Sequence, residues 1–149
     1  MNKSHLTAMS RKSLSAPMKW MDGEGFFDGV PRNKCLDYGC GKGFDADTLG
    51  FQKYDPFYFK CDDFSPNEFD VITCNFVLNT IPDDLERQKV LDTIEHWLAP
   101  SMSAFISIRS DKKDLNGITK RGTYQGYHPP ALPLIHKGSG YEIYQLKKD

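Results

Sequence analysis

A glycine-rich segment over residues 37–43 reads Asp-Tyr-Gly-Cys-Gly-Lys-Gly and directly follows a short apolar run. Its three glycines can adopt positive φ and, having no side chain, let the main chain lie directly against a ligand. Asp37 stands at the end of the apolar run, where a carboxylate can receive an ammonium group. The pattern predicts a ligand-binding turn, although a purely structural turn would use glycines in the same way.

The spacing of these glycines indicates which ligand the turn would hold. Dinucleotide-binding turns read G-x-G-x-x-G and bring a helix N-terminus up to a pyrophosphate, whereas here the third glycine comes one residue early. S-adenosylmethionine carries no phosphate and presents an ammonium, a carboxylate and a sulfonium. Because an acid at the strand end suits that molecule better, we expect it to be bound by Asp37, Gly39, Cys40 and Gly41. A nicotinamide cofactor is the weaker alternative.

A second acidic residue, Asp55, lies 18 residues after Asp37 and directly before Pro56. It ends the next apolar segment, where a carboxylate can accept both hydroxyls of a ribose. The alternative is an ordinary turn residue ahead of a proline. Asp62, in the following loop, could accept a hydrogen bond from an adenine amino group or could be a solvated loop carboxylate. We expect Asp55, Pro56 and Asp62, together with the glycine turn, to form the adenosyl side of the site.

A third set of candidate residues ends the strongest predicted strand. Residues 69–76 are largely apolar and β-branched, which is typical of a central parallel strand. Open α/β sheets bind ligands at the carboxyl ends of their strands. We therefore expect Asn75 and Phe76 to contact the cofactor and Asn75 also to orient a substrate nucleophile, although an asparagine there can equally well cap the backbone.

The elements that must carry these residues alternate between strands and helices. Helices are predicted after Pro17 to Gly23 or Gly25 with Ser15 as cap, and over 44–49 and 83–98. Strands are predicted over 35–38, 51–54, 69–76 and 103–109, with a final hairpin of 132–136 and 141–146. This order indicates an α/β fold with a mostly parallel sheet and a C-terminal antiparallel hairpin.

Composition limits the classes of protein and of partner. The 149 residues are 39% hydrophobic and 26% charged, which favours one folded domain over residues 1–149. The net charge of −1 supplies no global attraction to nucleic acid or membrane, so any nucleic-acid contact would be local. The four cysteines form no C-x-x-C pair, and no zinc site or other metal site is expected. Without a spanning apolar run or a signal-peptide core, we expect a cytoplasmic protein.

Through these motifs the chain resembles class I S-adenosylmethionine-dependent methyltransferases. The residues that carry this likeness are 36–43, 69–72 and 77–83. More narrowly, the chain is similar to the methyltransferase family associated with DNA phosphorothioation systems, through residues 5–12, 14–17, 54–58 and 120–125. The resemblance implies a Rossmann-like methyltransferase fold and S-adenosylmethionine as cofactor, and it leaves the methyl acceptor unidentified.

The resemblance also bears on segments outside the glycine turn. Only 13 residues separate Asp55 from Phe69, too few for the usual helix, strand and helix, so we expect a reduced fold without the third strand. Residues 1–30 are predicted to form an N-terminal helical segment that acts as a lid. Within it, Arg11 could hold the cofactor's carboxylate in a bidentate pair.

The substrate side is expected in the loop over residues 121–128. Asn75, Tyr124 and His128 are the candidate catalytic residues, and His128 could take a proton near neutral pH, although a lone loop histidine is usually solvent-exposed. The predicted reaction is methyl transfer to an N, O or S nucleophile. The alternatives are a protein that binds S-adenosylmethionine without transferring methyl, as a sensor or partner subunit, and an enzyme that cleaves it. Nothing in the sequence fixes the oligomeric state.

Overall fold

The structure is a computed structural model that describes residues 4–8, 10–61 and 63–149. Its helical elements within those ranges are the α-helices α1 (Ala16–Gly23), α2 (Phe44–Leu49) and α3 (Asp84–Trp97), and 3-10 turns at Ser4–Thr7, Arg32–Lys34 and Leu78–Thr80. The strands are β1 (Cys35–Tyr38), β2 (Gln52–Tyr54), β3 (Phe69–Asn75), β4 (Leu98–Arg109), β5 (Asn116–Ile118), β6 (Tyr124–Gly126), β7 (Leu134–Gly138) and β8 (Tyr141–Lys147). None of the helices in the described ranges is both long and apolar enough to cross a membrane.

Six strands form one sheet in the order β2-β1-β3-β4-β8-β7. The first four are parallel neighbours, and β8 pairs antiparallel with both β4 and β7. The predicted α/β fold, with a mostly parallel sheet and a C-terminal antiparallel hairpin, is thereby confirmed. Among the described residues between β2 and β3, the only strand-type pairing is one isolated bridge, between Asp55 and Phe59. The third strand is therefore missing from this part of the chain, as expected for the reduced fold.

A separate two-stranded pair, β5 with β6, was not predicted from the sequence. Each of its strands has three residues, too short a stretch for a period-two pattern to stand out. This β5–β6 hairpin lies between β4 and β7 in the chain, and contacts join β6 to the 3-10 turn Leu78–Thr80.

Two strands, β4 and β7, differ from the prediction by more than one residue at a boundary. β4 begins at Leu98, directly after α3, whereas the sequence placed its start at 103. In the added part, Leu98 pairs with Phe69, and the register shifts before the next pair at Val71. Ser101 has φ +67. Apolar and polar residues therefore do not alternate regularly there, and the sequence gives no period-two signal. β7 extends to Gly138 because Ser139 and Gly140 alone make the reversal, with Gly140 at φ +83.

The sheet is covered by apolar side chains on both faces. One face packs against α3 through fully buried residues such as Leu36, Ile72 and Ile94. The opposite face packs against α1 through residues such as Cys35 and Met18. Consecutive residues of β1 thus point to opposite layers, which is the period-two geometry of a strand buried on both sides. Each fully buried side chain of this size contributes about 1.5 to 3 kcal/mol to folding.

Parallel pairing places the candidate residues at one edge of the sheet. Asp37 in β1 pairs in register with Lys53 in β2 and with Thr73 in β3. The chain leaves each of these strands at the same carboxyl edge. The glycine turn after β1, Asp55 after β2 and Asn75 at the end of β3 are therefore brought together.

Candidate functional site

A cavity of about 1070 Å³ opens at this carboxyl edge. Nine of the residues expected to bind the cofactor line it: Arg11, Asp37, Gly39, Cys40, Gly41, Asp55, Pro56, Asn75 and Phe76. Asp62, the tenth, lies outside the described residues. Pockets for small ligands measure about 300 to 1,000 Å³, so this cavity has room for a cofactor together with a small acceptor.

The glycine turn is built from backbone that other residues would strain. Gly39 has φ +74, and a Cβ there would overlap the Val77 side chain. Gly41 has φ +58, and a Cβ there would come within 3.1 Å of the Ala8 Cβ. The turn is fastened to β2, because the N–H groups of Gly39 and Cys40 both donate to the Tyr54 carbonyl, at 2.7 and 3.0 Å. The predicted ligand-binding turn thus presents bare main chain to the cavity.

Asp37 is buried at the floor of the cavity, with 4% of its surface exposed. The Thr73 hydroxyl donates to its Oδ1 at 3.0 Å. Burial, with the nearby Asp45 and Asp55 carboxylates, raises the pKa of Asp37 to about 8, while the Thr73 bond and Arg11 act in the opposite direction. Near neutral pH this carboxyl therefore holds a proton, and a cation bound beside it would favour the ionised form.

Asp45, in the first turn of α2, is a cavity residue that sequence reasoning missed. Its two oxygens accept the Ser15 backbone N–H at 2.9 Å and the Ser15 hydroxyl at 2.6 Å. Ser15 is the N-cap residue of α1, as predicted, and its carbonyl accepts the Lys19 N–H at 2.8 Å. Its side chain makes no capping bond, because the hydroxyl is turned to Asp45. The position of Asp45 just after the glycine turn could have indicated a site residue, but its bond to Ser15, 30 residues away, could not be predicted from local sequence.

Asp55 connects the glycine turn to the loop after β2. Its Oδ2 accepts the Gly41 N–H at 2.9 Å, and its Oδ1 accepts the N–H groups of Phe57 and Tyr58 at 2.9 and 3.1 Å. An ionised carboxylate has about four acceptor positions, so three of these are already in use. A contact from both oxygens to two ribose hydroxyls would compete with these backbone bonds.

The end of β3 combines backbone strain with unpaired amide atoms. Phe76 has φ +60, a conformation that costs a residue with a side chain about 1 to 3 kcal/mol. Asn75 Oδ1 accepts the Ser107 hydroxyl at 2.8 Å, and its buried Nδ2 has no partner among the described residues. Asn79, which also lines the cavity, donates from Nδ2 to Gln125 Oε1 at 2.8 Å. Strain of this kind clusters at functional sites.

Residues 4–8, 10 and 11 lie beside the glycine turn. The cavity-lining residues among them are Ser4, His5, Thr7, Ala8 and Arg11. The His5 ring stacks on the Phe57 ring with centroids 3.9 Å apart, and Lys42 Nζ donates to the Ser10 hydroxyl at 3.2 Å. Arg11 lines the cavity and makes no ion pair with any described residue. The N-terminal segment thus brings a free guanidinium to the side of the cavity that holds the buried acids.

Tyr124 and His128 are not brought to the cavity. Tyr124 Oη lies 2.7 Å from His128 Nε2 and donates to Asn116 Oδ1, so these side chains contact one another. The physical reason is strand alternation, because Thr123 and Gln125 face the cavity and the residue between them faces away. Of the three candidate catalytic residues, Asn75 alone lines the cavity.

Cys40 lines the cavity beside Asp37, and burial raises the pKa of its thiol. Its Sγ donates weakly to the Gly41 carbonyl at 3.6 Å. A neutral thiol is a poor nucleophile, so Cys40 contributes shape and backbone to this site rather than covalent chemistry.

Comparison with known proteins identifies the fold. No protein-family model and no protein of curated function matches the sequence. Among solved structures, the PH0226 protein from Pyrococcus horikoshii OT3 is 12% identical with a TM-score of 0.63, covering 90% of each chain. A candidate type 11 methyltransferase from Sulfolobus solfataricus is 16% identical with a TM-score of 0.59, covering 91% of this chain and 94% of its own. An S-adenosylmethionine-dependent methyltransferase from Mesorhizobium loti is 9% identical with a TM-score of 0.58, covering 88% and 98%. The chain therefore has the Rossmann-like fold of these methyltransferases.

Proposed function

We propose that the chain binds S-adenosylmethionine in the cavity at the carboxyl edge of the sheet and transfers its methyl group to a nucleophile. The observation that carries the proposal is the glycine turn. Gly39 and Gly41 adopt positive φ directly beside the buried Asp37, at the edge where sheets of this type bind ligands. The fold shared with S-adenosylmethionine-dependent methyltransferases supports the same cofactor.

The charges around the cavity suit the two ends of the cofactor's methionine part. Asp37 would hold the ammonium, which would replace the proton that the carboxyl carries in the unliganded protein. Arg11, free of ion pairs with described residues, would hold the carboxylate as a bidentate partner. The turn from Asp55 to Pro56 would adjoin the adenosyl part, with Asp55 fixing the position of Gly41.

When bound, S-adenosylmethionine supplies a methyl group on a sulfonium: the nucleophile's lone pair forms the new bond to carbon, and the S–C bond pair leaves on sulfur as a neutral thioether. The chain itself contributes alignment and exclusion of water. Asn75, held through its Oδ1 by Ser107, keeps its Nδ2 for a further hydrogen bond. We propose that this amide positions the acceptor.

Calorimetry with S-adenosylmethionine tests the cofactor assignment on the wild-type protein. Asp37→Leu removes the carboxyl and should abolish binding, whereas Asp114→Asn, at an exposed position outside the cavity lining, is the matched control. Folding of both variants is checked by circular dichroism. Wild-type protein that binds no cofactor would contradict the proposal.

A non-catalytic binder is the second candidate, because Tyr124 and His128 do not reach the cavity. Incubation with methyl-labelled cofactor distinguishes the functions. Label that moves to an added acceptor supports transfer, intact cofactor that stays bound with every acceptor offered supports the binder, and breakdown without an acceptor supports cleavage.

The narrower likeness of residues 5–12 and 120–125 supports one further proposal, that the chain acts in the cytoplasm beside a DNA phosphorothioation system. Co-purification of the tagged chain with the components of such a system from its own cells would test this association. Consistent absence of those components would contradict it.

A further inference from the structure

The wall of the cavity opposite in sequence to the glycine turn, formed by residues from 86 onwards, is basic, whereas the wall around Asp37 is acidic. This basic wall is made by the first half of α3, the end of β4 and the β5–β6 hairpin. Three basic residues line it, Lys89, Arg109 and Arg121, together with two acidic ones, Glu86 and Asp111, so the wall keeps a net positive charge. Arg109 is neutralised by Asp111 through two bonds of 3.0 and 2.8 Å. Lys89 and Arg121 make no ion pair with any described residue.

Arg121 is presented by a tight and well-fastened turn. The Thr119 N–H donates to the Thr123 carbonyl at 2.7 Å, and the Gly122 N–H donates to the Thr119 carbonyl at 3.0 Å. Gly122 has φ +77, which lets the chain reverse directly after Arg121. Thr119, Arg121 and Thr123 all line the cavity. The two threonine hydroxyls lie 3.0 Å apart and bond to each other, so this turn brings a guanidinium and one remaining hydroxyl donor to one wall.

The base of the β5–β6 hairpin is anchored at two places. Gln125 accepts the Asn79 amide at 2.8 Å, which ties β6 to the 3-10 turn ahead of α3. The buried Glu142 of β8 accepts the Tyr127 hydroxyl at 2.8 Å, and Lys113 Nζ lies 3.6 Å from its other oxygen. The segments on both sides of the hairpin are thus anchored, and the backbone at Arg121 is positioned without a bound ligand.

We propose that the methyl acceptor is a small anionic molecule whose carboxylate or phosphate is held by Arg121 and Lys89. This inference rests on the proposed function, since it assigns the acceptor side of the same cavity. A guanidinium, here with an ammonium and one hydroxyl donor on the same wall, is the group that binds carboxylate and phosphate. The cavity volume of about 1070 Å³ accommodates such a molecule beside the cofactor.

Charge on the adjoining surface favours a small anion over a nucleic acid. Outside the cavity lining, α3 exposes Asp84, Asp92 and Glu95, so a long polyanion lying across the cavity mouth would meet repulsion. The chain as a whole carries a net charge of −1. Residues 109–121 hold five basic and two acidic residues, which confines the attraction to the hairpin side.

The test is an NMR titration of isotope-labelled protein with sodium phosphate and, separately, sodium acetate at constant ionic strength. It is run on protein saturated with S-adenosylmethionine and on cofactor-free protein. The amides of Thr119 to Thr123 should shift, and the tighter of the two probes identifies the anionic group. Loss of both cations in Arg121→Gln with Lys89→Gln should weaken probe binding about tenfold or more.

Lys120→Gln is the matched control, because this neighbour of Arg121 is equally exposed but does not line the cavity. Its probe affinity should stay within about twofold of wild type. Equal losses in the control and in the double variant, or no shift at the hairpin amides, would overturn the proposal. Binding of a short DNA duplex to the hairpin would also overturn the proposal if Lys120→Gln weakened that binding as much as the double variant does.

The titration also separates this inference from the function on which it rests. Protein that saturates with S-adenosylmethionine but shows no anion response refutes only the acceptor class. Protein that does not bind S-adenosylmethionine in calorimetry refutes the proposed function, and with it the assignment of an anionic acceptor.

Discussion

Replacing Asp37 by Asn should change the way in which stability depends on pH. In the folded protein the pKa of this carboxyl is raised from 3.8 to about 8, chiefly by burial. Between these values the folded state binds a proton that the unfolded state has lost, so the stability contributed by the protonated carboxyl falls as pH rises. Asn keeps the shape of the side chain and can still accept the Thr73 hydroxyl, but it does not titrate.

The expected magnitude follows from the width of the window. One bound proton gives a slope of about 1.4 kcal/mol per pH unit, so between pH 5.5 and 7.5 wild type should lose about 2.5 kcal/mol that Asp37→Asn retains. Contributions from other groups largely cancel between the two proteins. Asp114→Asn, which removes an exposed carboxylate, is the control and should follow the wild-type curve.

The assay is urea unfolding of cofactor-free protein at pH 5.5, 6.5 and 7.5, with the free energy of unfolding extrapolated to water at each pH. The difference in free energy between variant and wild type should grow steadily with pH. Parallel curves across the window would show that Asp37 is ionised in the folded state, which would refute the protonated cavity floor.

Other perturbations test the rest of the site. Binding of S-adenosylmethionine near pH 7 should release about one proton from Asp37, seen by calorimetry in buffers of different ionisation enthalpy, and affinity should rise from pH 6 to 8; equal heats in all buffers would contradict this. Arg11→Ala should weaken cofactor binding at least about tenfold, and unchanged affinity by calorimetry would remove its role. Gly39→Ala should lower the free energy of unfolding in urea by about 2 to 4 kcal/mol, because the new Cβ would sit at positive φ and overlap the Val77 side chain. A loss of less than about 1 kcal/mol would contradict this prediction. Ser15→Ala should cost about 1 to 3 kcal/mol by leaving one Asp45 oxygen without its donor, whereas wild-type stability would show that the pair contributes nothing.

The parts of the fold that were predictable from sequence are those with strong local patterns. The buried strands β1 and β3 are largely apolar runs, and α3 carries a helical stripe with Asp83 capping it through the Leu85 N–H. The missing third strand followed from the length of one interval, since the 13 residues between Asp55 and Phe69 cannot hold the helix, strand and helix that are usual in the class the chain resembles. The glycine turn was recognisable because positive φ restricts the residue type so strongly.

The parts that were missed depend on long-range pairing or on side-chain direction. The bond between Ser15 and Asp45 joins residues 30 positions apart, and no local pattern encodes it. Tyr124 was chosen for its chemistry, but a one-residue alternation turns it from the cavity and brings Thr123 there instead. The three backbone bonds of Asp55 depend on the path of the loop that follows it.

Loss of the third strand makes β2 the margin of the sheet, and margins invite aggregation because their unpaired backbone groups can template a second chain. Here the margin is only three residues long, Gln52 to Tyr54, and it stops one residue short of Pro56, which has no N–H to donate. Lys53 adds a charge at its centre, held by Asp47 at 2.8 Å and lying over the Phe59 ring. A short, charged edge strand of this kind disfavours pairing with a second chain, even though the strand and helices that would cover it are missing from the described part of the chain.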